Sequence, residues 1–228
     1  MIWKKWIRSL LELLYPRRAC CMGCGDMTGM DRDDLCEDCR SRLAKSWVGL
    51  RMPDKKLQLD GAAYAYRYAG VGGALVRRLK YSGVDVLAEQ MGRDLARAAM
   101  LLRLEKDAVV TCVPMHPKRR RTRGRNHSES LARHAAACMG LEYRELIFRT
   151  RNTAQQARLE NDARRRNLED AFAAVQRLDG RTVLLVDDVL TTGTTAKCCA
   201  EALRAAGAKK VYFAAYTLGG SKQEKQHG

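Results

Sequence analysis

The sequence predicts an α/β fold in which a mainly parallel sheet is flanked by helices, with a small metal-binding module at the N-terminus. After residue 70, short apolar runs alternate with helix-compatible segments, which is the pattern of a parallel sheet. One of these runs, residues 183–186, leads into two adjacent carboxylates and a Thr/Gly turn. Four cysteines near the N-terminus are the third observation, because their spacing is that of a closed metal site.

Length and composition limit the alternatives. A chain of 228 residues suits one domain with a small appendage, and its 46% hydrophobic content supports a real core and excludes a disordered protein. The formal net charge of +16 favours anionic partners. We expect residues 1–45 to form the N-terminal helix and cysteine module and residues 58–220 the main domain. The chain lacks an 18-residue apolar run and a secretory signal, so we expect a cytoplasmic protein without stable membrane insertion.

The first predicted element is an amphipathic helix over residues 2–14, which Pro16 ends. Trp and Lys side chains at one end suit a membrane interface, and the apolar face equally suits packing on the cysteine module.

Two cysteine knuckles follow in a C-x2-C-x11-C-x2-C pattern, which predicts a structural Zn²⁺ site because four thiolates close a tetrahedral shell. The predicted ligands are Cys21, Cys24, Cys36 and Cys39. Cys20 competes with Cys21 for the first position, and the choice stays open. Gly23 and Gly25 permit the tight turns that knuckles need.

The middle of the chain is predicted to contain a linker, a strand and two helices. Pro53 favours a linker over residues 44–56. Alternation predicts a strand over residues 61–68, followed by helices over residues 70–81 and 85–103.

The remaining elements continue the alternation of strands and helices. Strands are predicted over residues 109–114, 145–148, 171–175, 182–186 and 210–217. Helices are predicted over residues 128–139, 160–168 and 196–206.

The string at residues 183–195 predicts a sugar-phosphate site at the carboxyl edge of the sheet, where α/β proteins bind ligands. Asp187 and Asp188 are placed to accept hydrogen bonds from vicinal ribose hydroxyls or to hold the water shell of a metal. Backbone N–H groups at the start of the following helix suit a phosphate. This predicted cradle consists of Thr191, Thr192, Gly193, Thr194 and Thr195.

A basic loop after the 109–114 strand predicts a second anion site at the same edge. Residues 118–125 contain six Lys or Arg side chains, which would repel one another unless an anion or solvent intervened. Pyrophosphate is the predicted anion, and a solvated charge run is the alternative. The candidate contacts are His116, Lys118, Arg119, Arg123 and Gly124.

Taken together, these motifs resemble the ComF family of competence-associated proteins, and the 183–195 string resembles the 5-phosphoribosyl-1-pyrophosphate (PRPP) signature of type I phosphoribosyltransferases. The resemblance covers nearly the whole chain. A mild departure is His127, where family members often have Gln. Besides the two knuckles and the 183–195 string, the matching residues are Pro16, Leu79, Lys80, Tyr81, Gly83, Val113, Pro114, Met115, His116, Arg123, Gly124, Asn126, Arg151, Thr153 and Gln156.

The resemblance implies a type I phosphoribosyltransferase fold, PRPP with Mg²⁺ as the ligand, and a role in natural transformation. There the protein would handle incoming single-stranded DNA in the cytoplasm beside a competence helicase. In this fold a variable segment, the hood, recognises the acceptor, and the cysteine module and the strand near residues 64–68 are the candidates for it here.

Three functions are compatible with these residues. The first is a PRPP-binding protein that handles DNA, favoured by ten Lys or Arg against three Asp or Glu in residues 117–151. The second is an active transferase that moves ribose 5-phosphate to an unidentified base, with Asp187 and Asp188 as catalytic residues. The third is a protein scaffold built on the zinc module with a vestigial pocket.

Overall fold

A computed structural model describes residues 20–26, 34–53, 55–82, 85–115, 126–149 and 171–219. Three predicted features lie outside these ranges: the helix over residues 2–14, the basic loop at residues 116–125 and the helix over residues 160–168.

Within the described ranges, eight strands form two sheets. The strands are β1 (Trp47–Arg51), β2 (Gly61–Arg67), β3 (Val109–Cys112), β4 (Glu142–Tyr143), β5 (Ile147–Arg149), β6 (Phe172–Ala174), β7 (Thr182–Leu190) and β8 (Lys210–Leu218). The main sheet has six strands in the order β1-β2-β8-β7-β3-β4, and β5 and β6 form a separate antiparallel pair. In the main sheet only the edge strand β1 is antiparallel to its neighbour.

Five α-helices lie within the described ranges. They are α1 (Glu37–Lys45), α2 (Gly70–Ser82), α3 (Asp85–Ala99), α4 (His127–Met139) and α5 (Thr194–Ala205). Two single turns of 3₁₀ helix, Lys55–Leu57 and Met100–Leu102, complete the helical structure.

Helices cover both faces of the main sheet. Alternate side chains of β7 accordingly lie in two different core clusters, one on each face. Val183 and Leu185 are fully buried in one core cluster together with residues of α5. Leu184 and Val186 are fully buried in the other cluster, which holds residues of α2, α3 and α4. A strand buried on both faces reads as a continuous apolar run, as the sequence indicated.

The predicted fold class, a mainly parallel sheet with flanking helices, is confirmed. The predicted linker over residues 44–56 is wrong, because α1 ends at Lys45 and β1 then adds an edge strand. There Trp47 lies opposite Tyr66 of β2, with the two rings edge to face at 5.5 Å. Strand β2 belongs to the main sheet beside β8 rather than to a separate hood.

The strand that carries the predicted sugar-phosphate site is longer than expected. The sequence predicted an end at Val186, whereas β7 continues through both aspartates to Leu190. Pairing with β8 supports this extension, since Asp187 lies opposite Ala215 and Leu190 opposite Leu218.

The cysteine module packs against α2. Leu35 and Leu43 are buried in the same core cluster as Leu75 and Leu79 of α2. The guanidinium of Arg78, also on α2, lies 3.4 Å from the Met22 sulfur. None of the helices in the described ranges combines the length and the apolar character needed to cross a bilayer.

Candidate functional site

A cavity of about 190 Å³ opens where β3 and β7 end and α4 begins. Asp187 and Asp188 reach it from β7, and Ser128 reaches it from the first turn of α4. We call this cavity the aspartate site. Its polar lining includes Lys80, Asn126, Ser128, Asp187, Asp188 and Thr195. The two predicted aspartates and one residue of the predicted cradle therefore share one cavity.

The carboxylate of Asp187 is held in a fixed orientation. Its Oδ1 accepts a hydrogen bond from Ser128 Oγ at 2.7 Å and a second from the backbone N–H of Asp188 at 2.8 Å. Burial, followed by the charge of Asp188, raises the pKa of Asp187 to about 7, although both hydrogen bonds and Lys80 act in the opposite direction. The site can therefore hold or release a proton near neutral pH.

Asp188 is paired with a cation from α2. Its Oδ2 lies 2.6 Å from Lys80 Nζ, and both side chains are largely shielded from solvent. Thr217 Oγ1 donates to the Asp188 carbonyl at 3.3 Å and fixes the backbone of β7 at this position.

The predicted phosphate cradle lies directly after β7. Gly193 caps α5 with φ of 77°, a left-handed conformation that glycine adopts without strain. A Cβ at this position would lie 2.6 Å from Leu57 Cδ2, so a side chain here would require Leu57 to shift. Thr192 and Thr194 share a hydrogen bond between their hydroxyls at 3.1 Å. The unsatisfied N–H groups of the first turn of α5 are suited to a phosphate.

The candidate pyrophosphate contacts His116, Lys118, Arg119, Arg123 and Gly124 all lie outside the described residues. The two described residues that border this segment, Met115 and Asn126, both line the aspartate site. Asn126 Nδ2 donates to the Val113 carbonyl at 3.2 Å, so the two ends of the loop are tied together at the cavity.

A second cavity of about 230 Å³ adjoins the first and shares Pro114, Met115, Asn126 and Arg149 with it. We call it the acceptor cavity. It lies between the end of β3, α4 and the β5–β6 pair, and Glu129, Glu145 and Phe148 also line it. Strand β5 of the small β5–β6 sheet thus borders this cavity, whereas the sequence analysis named the cysteine module and the strand near residues 64–68 as the candidates for the hood. Arg149 stands over the ring of Phe172 at 5.4 Å, which links β5 to β6.

The four predicted metal ligands come together. The sulfurs of Cys21, Cys24, Cys36 and Cys39 all lie within 4.8 Å of one another. Gly23 makes this approach possible, since a Cβ there would lie 2.7 Å from Cys39 Sγ. Cys20 is outside this group, which favours Cys21 in the first position.

Backbone groups stabilise negative charge at this cluster. The N–H groups of Gly23 and Cys36 each donate to Cys21 Sγ at 3.3 Å. Although burial opposes ionisation, these and the neighbouring donors lower the pKa of Cys21 to about 6. Burial and the neighbouring thiols raise the pKa of Cys39. Four soft thiol ligands at this spacing fit a divalent ion such as Zn²⁺. Four adjacent thiolates would repel one another, and the positive charge of the bound ion would offset that repulsion.

Sequence reasoning missed several residues that the structure places in the site. Lys80 and Asn126 were noted only as parts of family motifs, and Ser128 and Arg149 were given no role. A signal did exist for Ser128, because it opens the helix after β3 and such helix starts lie at the carboxyl edge of a sheet. The pairing of Lys80 with Asp188 had no signal in the local sequence.

Sequence comparisons relate this chain to known proteins. Residues 129–227 match the family model described as "Phosphoribosyl transferase domain". The chain is 33% identical over 149 residues to "DNA utilization protein YhgH" of Escherichia coli O157:H7, an alignment that covers 63% of this chain and 66% of that protein, just under two thirds. It is 28% identical over 145 residues to "Competence protein F" of Haemophilus influenzae, covering 60% of this chain and 63% of that protein.

A solved structure of glutamine phosphoribosylpyrophosphate (PRPP) amidotransferase from B. subtilis matches with 24% identity and a TM-score of 0.40 over 55% of this chain and 25% of that one. The fold and the family match over residues 129–227 define a protein with a phosphoribosyl transferase domain. Its four-cysteine module and its similarity to the two bacterial relatives support an assignment to the ComF family.

Proposed function

We propose that this protein binds PRPP with Mg²⁺ in the aspartate site and acts in DNA uptake, handling single-stranded DNA in the cytoplasm. The names of the relatives, a competence protein and a DNA utilization protein, support the second half of the proposal. A helicase is the partner that such a role requires when the entering strand is unwound or pulled.

One observation supports PRPP binding above all others. Asp187 and Asp188 lie in the second half of β7 and line a cavity shortly before the Gly193 turn, where a larger residue would require Leu57 to shift. The chain thus places two kinds of group within a few residues of each other. The carboxylates can accept hydrogen bonds from vicinal hydroxyls, and the N-terminus of α5 can bind a phosphate.

Each group has a distinct task in this proposal. Asp187 and Asp188 accept hydrogen bonds from the ribose hydroxyls, and residues 191–195 hold the 5-phosphate. The basic loop at residues 116–125 meets the pyrophosphate from ends fixed by Met115 and Asn126. Bound Mg²⁺ would supply further positive charge for the pyrophosphate, and the oxygens of Asp187 and Asp188 suit its water shell.

A second candidate function is turnover, in which ribose 5-phosphate passes to a nitrogenous acceptor. The acceptor cavity favours it, because it offers about 230 Å³ beside the aspartate site, with two carboxylates, Glu129 and Glu145, for an amino group. Release of pyrophosphate from PRPP on addition of purines, pyrimidines or nucleic acid tests this function. Absence of release across these acceptors would leave the protein a PRPP-binding protein without transferase activity.

The cysteine cluster is proposed to hold a structural Zn²⁺, because all four positions of a tetrahedral shell are filled by thiols and none remains open for chemistry. We propose that residues 1–45 form the metal module and that residues 58–220 form the phosphoribosyl transferase domain. Strand β1 lies between the two ranges.

Thermal unfolding in a titration with PRPP and Mg²⁺ tests the main proposal, since a ligand that binds only the native state raises its melting temperature. The parent protein should gain stability, and the Asp187→Ala/Asp188→Ala variant should not. Glu89→Gln is the matched control, because it removes an exposed carboxylate on α3 that pairs with Arg93. Pyrophosphate and ribose 5-phosphate should each give a smaller shift. A parent protein that does not respond to PRPP would contradict the proposal.

The DNA half of the proposal has a separate test. Anisotropy titrations with a labelled single-stranded oligonucleotide should show binding that weakens steeply with salt, as backbone-phosphate contacts require. Binding that is absent or independent of salt would remove DNA handling from the proposal and leave PRPP binding untouched.

A further inference from the structure

The carboxyl end of β2 presents an exposed aromatic ring among cations. Tyr68 follows the last residue of β2 and remains 39% exposed, although most tyrosines of the main sheet are buried. Arg67 before it and Arg77 on α2 are both exposed. The ring is therefore available to a partner, and positive charge lies on both sides of it along the chain.

Glycine brings the ring and one of these cations together. A Cβ built on Gly73 would lie 3.3 Å from a guanidinium nitrogen of Arg77 and 3.9 Å from Tyr68 Cε1, so both side chains border the same point above the start of α2. The backbone below is fixed, because the Tyr68 N–H donates to the Leu218 carbonyl at 2.7 Å. The exposed side chains of Tyr68 and Arg77 thus lie close to each other at the start of α2.

The pair is continuous with the aspartate site. On α2, Lys80 lies three residues after Arg77, a spacing that places two side chains on the same face of a helix. Lys80 reaches Asp188 in the aspartate site, whereas Arg77 points toward Tyr68. Strand β8 connects the two regions within the sheet, because it pairs with β2 on one side and with β7 on the other.

The charge of this region is one-sided. Residues 61–82 contain Arg67, Arg77, Arg78 and Lys80, and they contain no Asp or Glu. Exposed cations beside an aromatic ring are complementary to a polyanion with accessible planar groups.

We propose that Arg67, Tyr68 and Arg77 form a docking platform for single-stranded nucleic acid: one base stacks on the Tyr68 ring while the adjacent backbone phosphates lie against Arg67 and Arg77. The platform rests on the proposed DNA-handling function and assigns it a surface. A duplex is not accommodated, because its bases are already stacked on each other and cannot lie flat on an isolated ring. The bound strand would run along the carboxyl edge of the sheet toward the aspartate site.

The test uses the full-length protein and a labelled oligothymidine of about 16 nucleotides, the upper end of common site sizes. Tyr68→Ala should weaken binding about tenfold, the effect of losing one stacking contact, while Tyr68→Phe keeps the ring and should bind as the parent does. Arg77→Ala should weaken binding and lower the slope of log affinity against log salt by about 0.7.

The control for charge is Arg181→Ala. Arg181 is an exposed cation just before β7, at the amino end of the sheet and hence at the edge opposite the platform. It should change neither the affinity nor the salt slope. Urea unfolding of each variant shows whether the fold is retained, and the stabilisation by PRPP and Mg²⁺ should be the same in Tyr68→Ala as in the parent.

The outcomes separate this proposal from the one on which it rests. If the parent binds the oligonucleotide and the Tyr68 and Arg77 variants bind it equally well, the platform is overturned and DNA handling stands. If the parent binds no oligonucleotide, both fail and only PRPP binding remains. If the variants keep oligonucleotide binding but lose adhesion to anionic vesicles, the platform is overturned in favour of a membrane surface.

Discussion

Lys80 Nζ lies 2.6 Å from Asp188 Oδ2, so a cation from the second helix neutralises one of the two carboxylates at the end of β7. Asp187, next to it, forms no ion pair within the part of the chain that the structure describes, and its carboxylate is held instead by Ser128. Two adjacent aspartates therefore have different environments: Asp188 is paired with Lys80, and Asp187 has a pKa raised to about 7.

Replacing Lys80 tests this ion pair. Lys80→Met leaves the Asp188 carboxylate without its partner in a partly buried site, and we expect a loss of about 1 to 2 kcal/mol in the free energy of unfolding, between the values for exposed and fully buried pairs. Urea unfolding at neutral pH measures it. Lys209→Met, which removes an exposed lysine just before β8, is the control and should have almost no effect. Equal losses in the two variants would show that the pair contributes nothing.

Gly193 provides a prediction about the phosphate cradle. Gly193→Ala adds a Cβ at 2.6 Å from Leu57 Cδ2 in a residue with φ of 77°, and we expect it to cost about 2 to 3 kcal/mol. Chemical denaturation measures the loss. Gly180→Ala is matched in backbone, with φ of 79°, but its Cβ meets nothing within 4 Å, so it reports the backbone strain alone.

The loss of unfolding free energy in Gly193→Ala minus the loss in Gly180→Ala gives the steric contribution of the contact with Leu57. Truncation of Leu57 should reduce that contribution, so the Gly193→Ala/Leu57→Ala double variant should lose less than the sum of the single variants. Additive losses, or equal losses for Gly193→Ala and Gly180→Ala, would mean that the contact with Leu57 does not shape the turn.

Much of this fold follows from local sequence. The run at residues 183–186 predicted a central strand because a strand buried on both faces must be continuously apolar. The edge strand β1 was missed because its pattern is mixed: Leu50 is 51% exposed and Gly49 has φ of 74°, so neither alternation nor propensity marks it. Only its pairing with β2 makes it a strand.

The site was predictable to the extent that its residues lie next to each other in sequence. Asp187, Asp188 and the cradle occupy one continuous string, and the carboxyl-edge rule places them together. Lys80 and Ser128 reach the same cavity from distant segments, and such contacts depend on how α2 and α4 pack on the sheet. The four cysteines could be grouped because a tetrahedral ion imposes a spacing that sequence displays directly.

The metal site makes a prediction about its ligands. Cys39→Ser should abolish stoichiometric zinc binding and lower the melting temperature, because Cys39 is buried in the cluster and packs on Gly23. Zinc content is measured on purified protein. Cys20→Ser is the matched control, since Cys20 lies beside Cys21 but outside the cluster, and it should retain about one zinc per chain. If Cys20→Ser loses zinc instead, Cys20 rather than Cys21 is the first ligand.

The pKa of Asp187 gives a prediction for the dependence of stability on pH in buffer without Mg²⁺. Its unfolded value is near 3.8 and its folded value is about 7, with burial as the main cause, so between these values the folded state holds a proton that the unfolded state has lost. Asp187 therefore contributes stability that is fully present below pH 3.8 and that disappears as pH rises through about 7. Asp187→Asn removes this term while it keeps an oxygen for Ser128.

We expect the unfolding free energy of Asp187→Asn, relative to the parent, to increase between about pH 4 and pH 7 and then to level off. The rise should reach a few kcal/mol, because one pKa unit corresponds to about 1.4 kcal/mol. Urea unfolding of both proteins across this range measures it, and the difference cancels the titration of all other groups. Glu89→Gln, at an exposed carboxylate, should show no such trend. If the difference in unfolding free energy between Asp187→Asn and the parent stays constant with pH, Asp187 is already ionised in the folded protein. If that difference falls as pH rises, the site stabilises the Asp187 carboxylate rather than destabilising it.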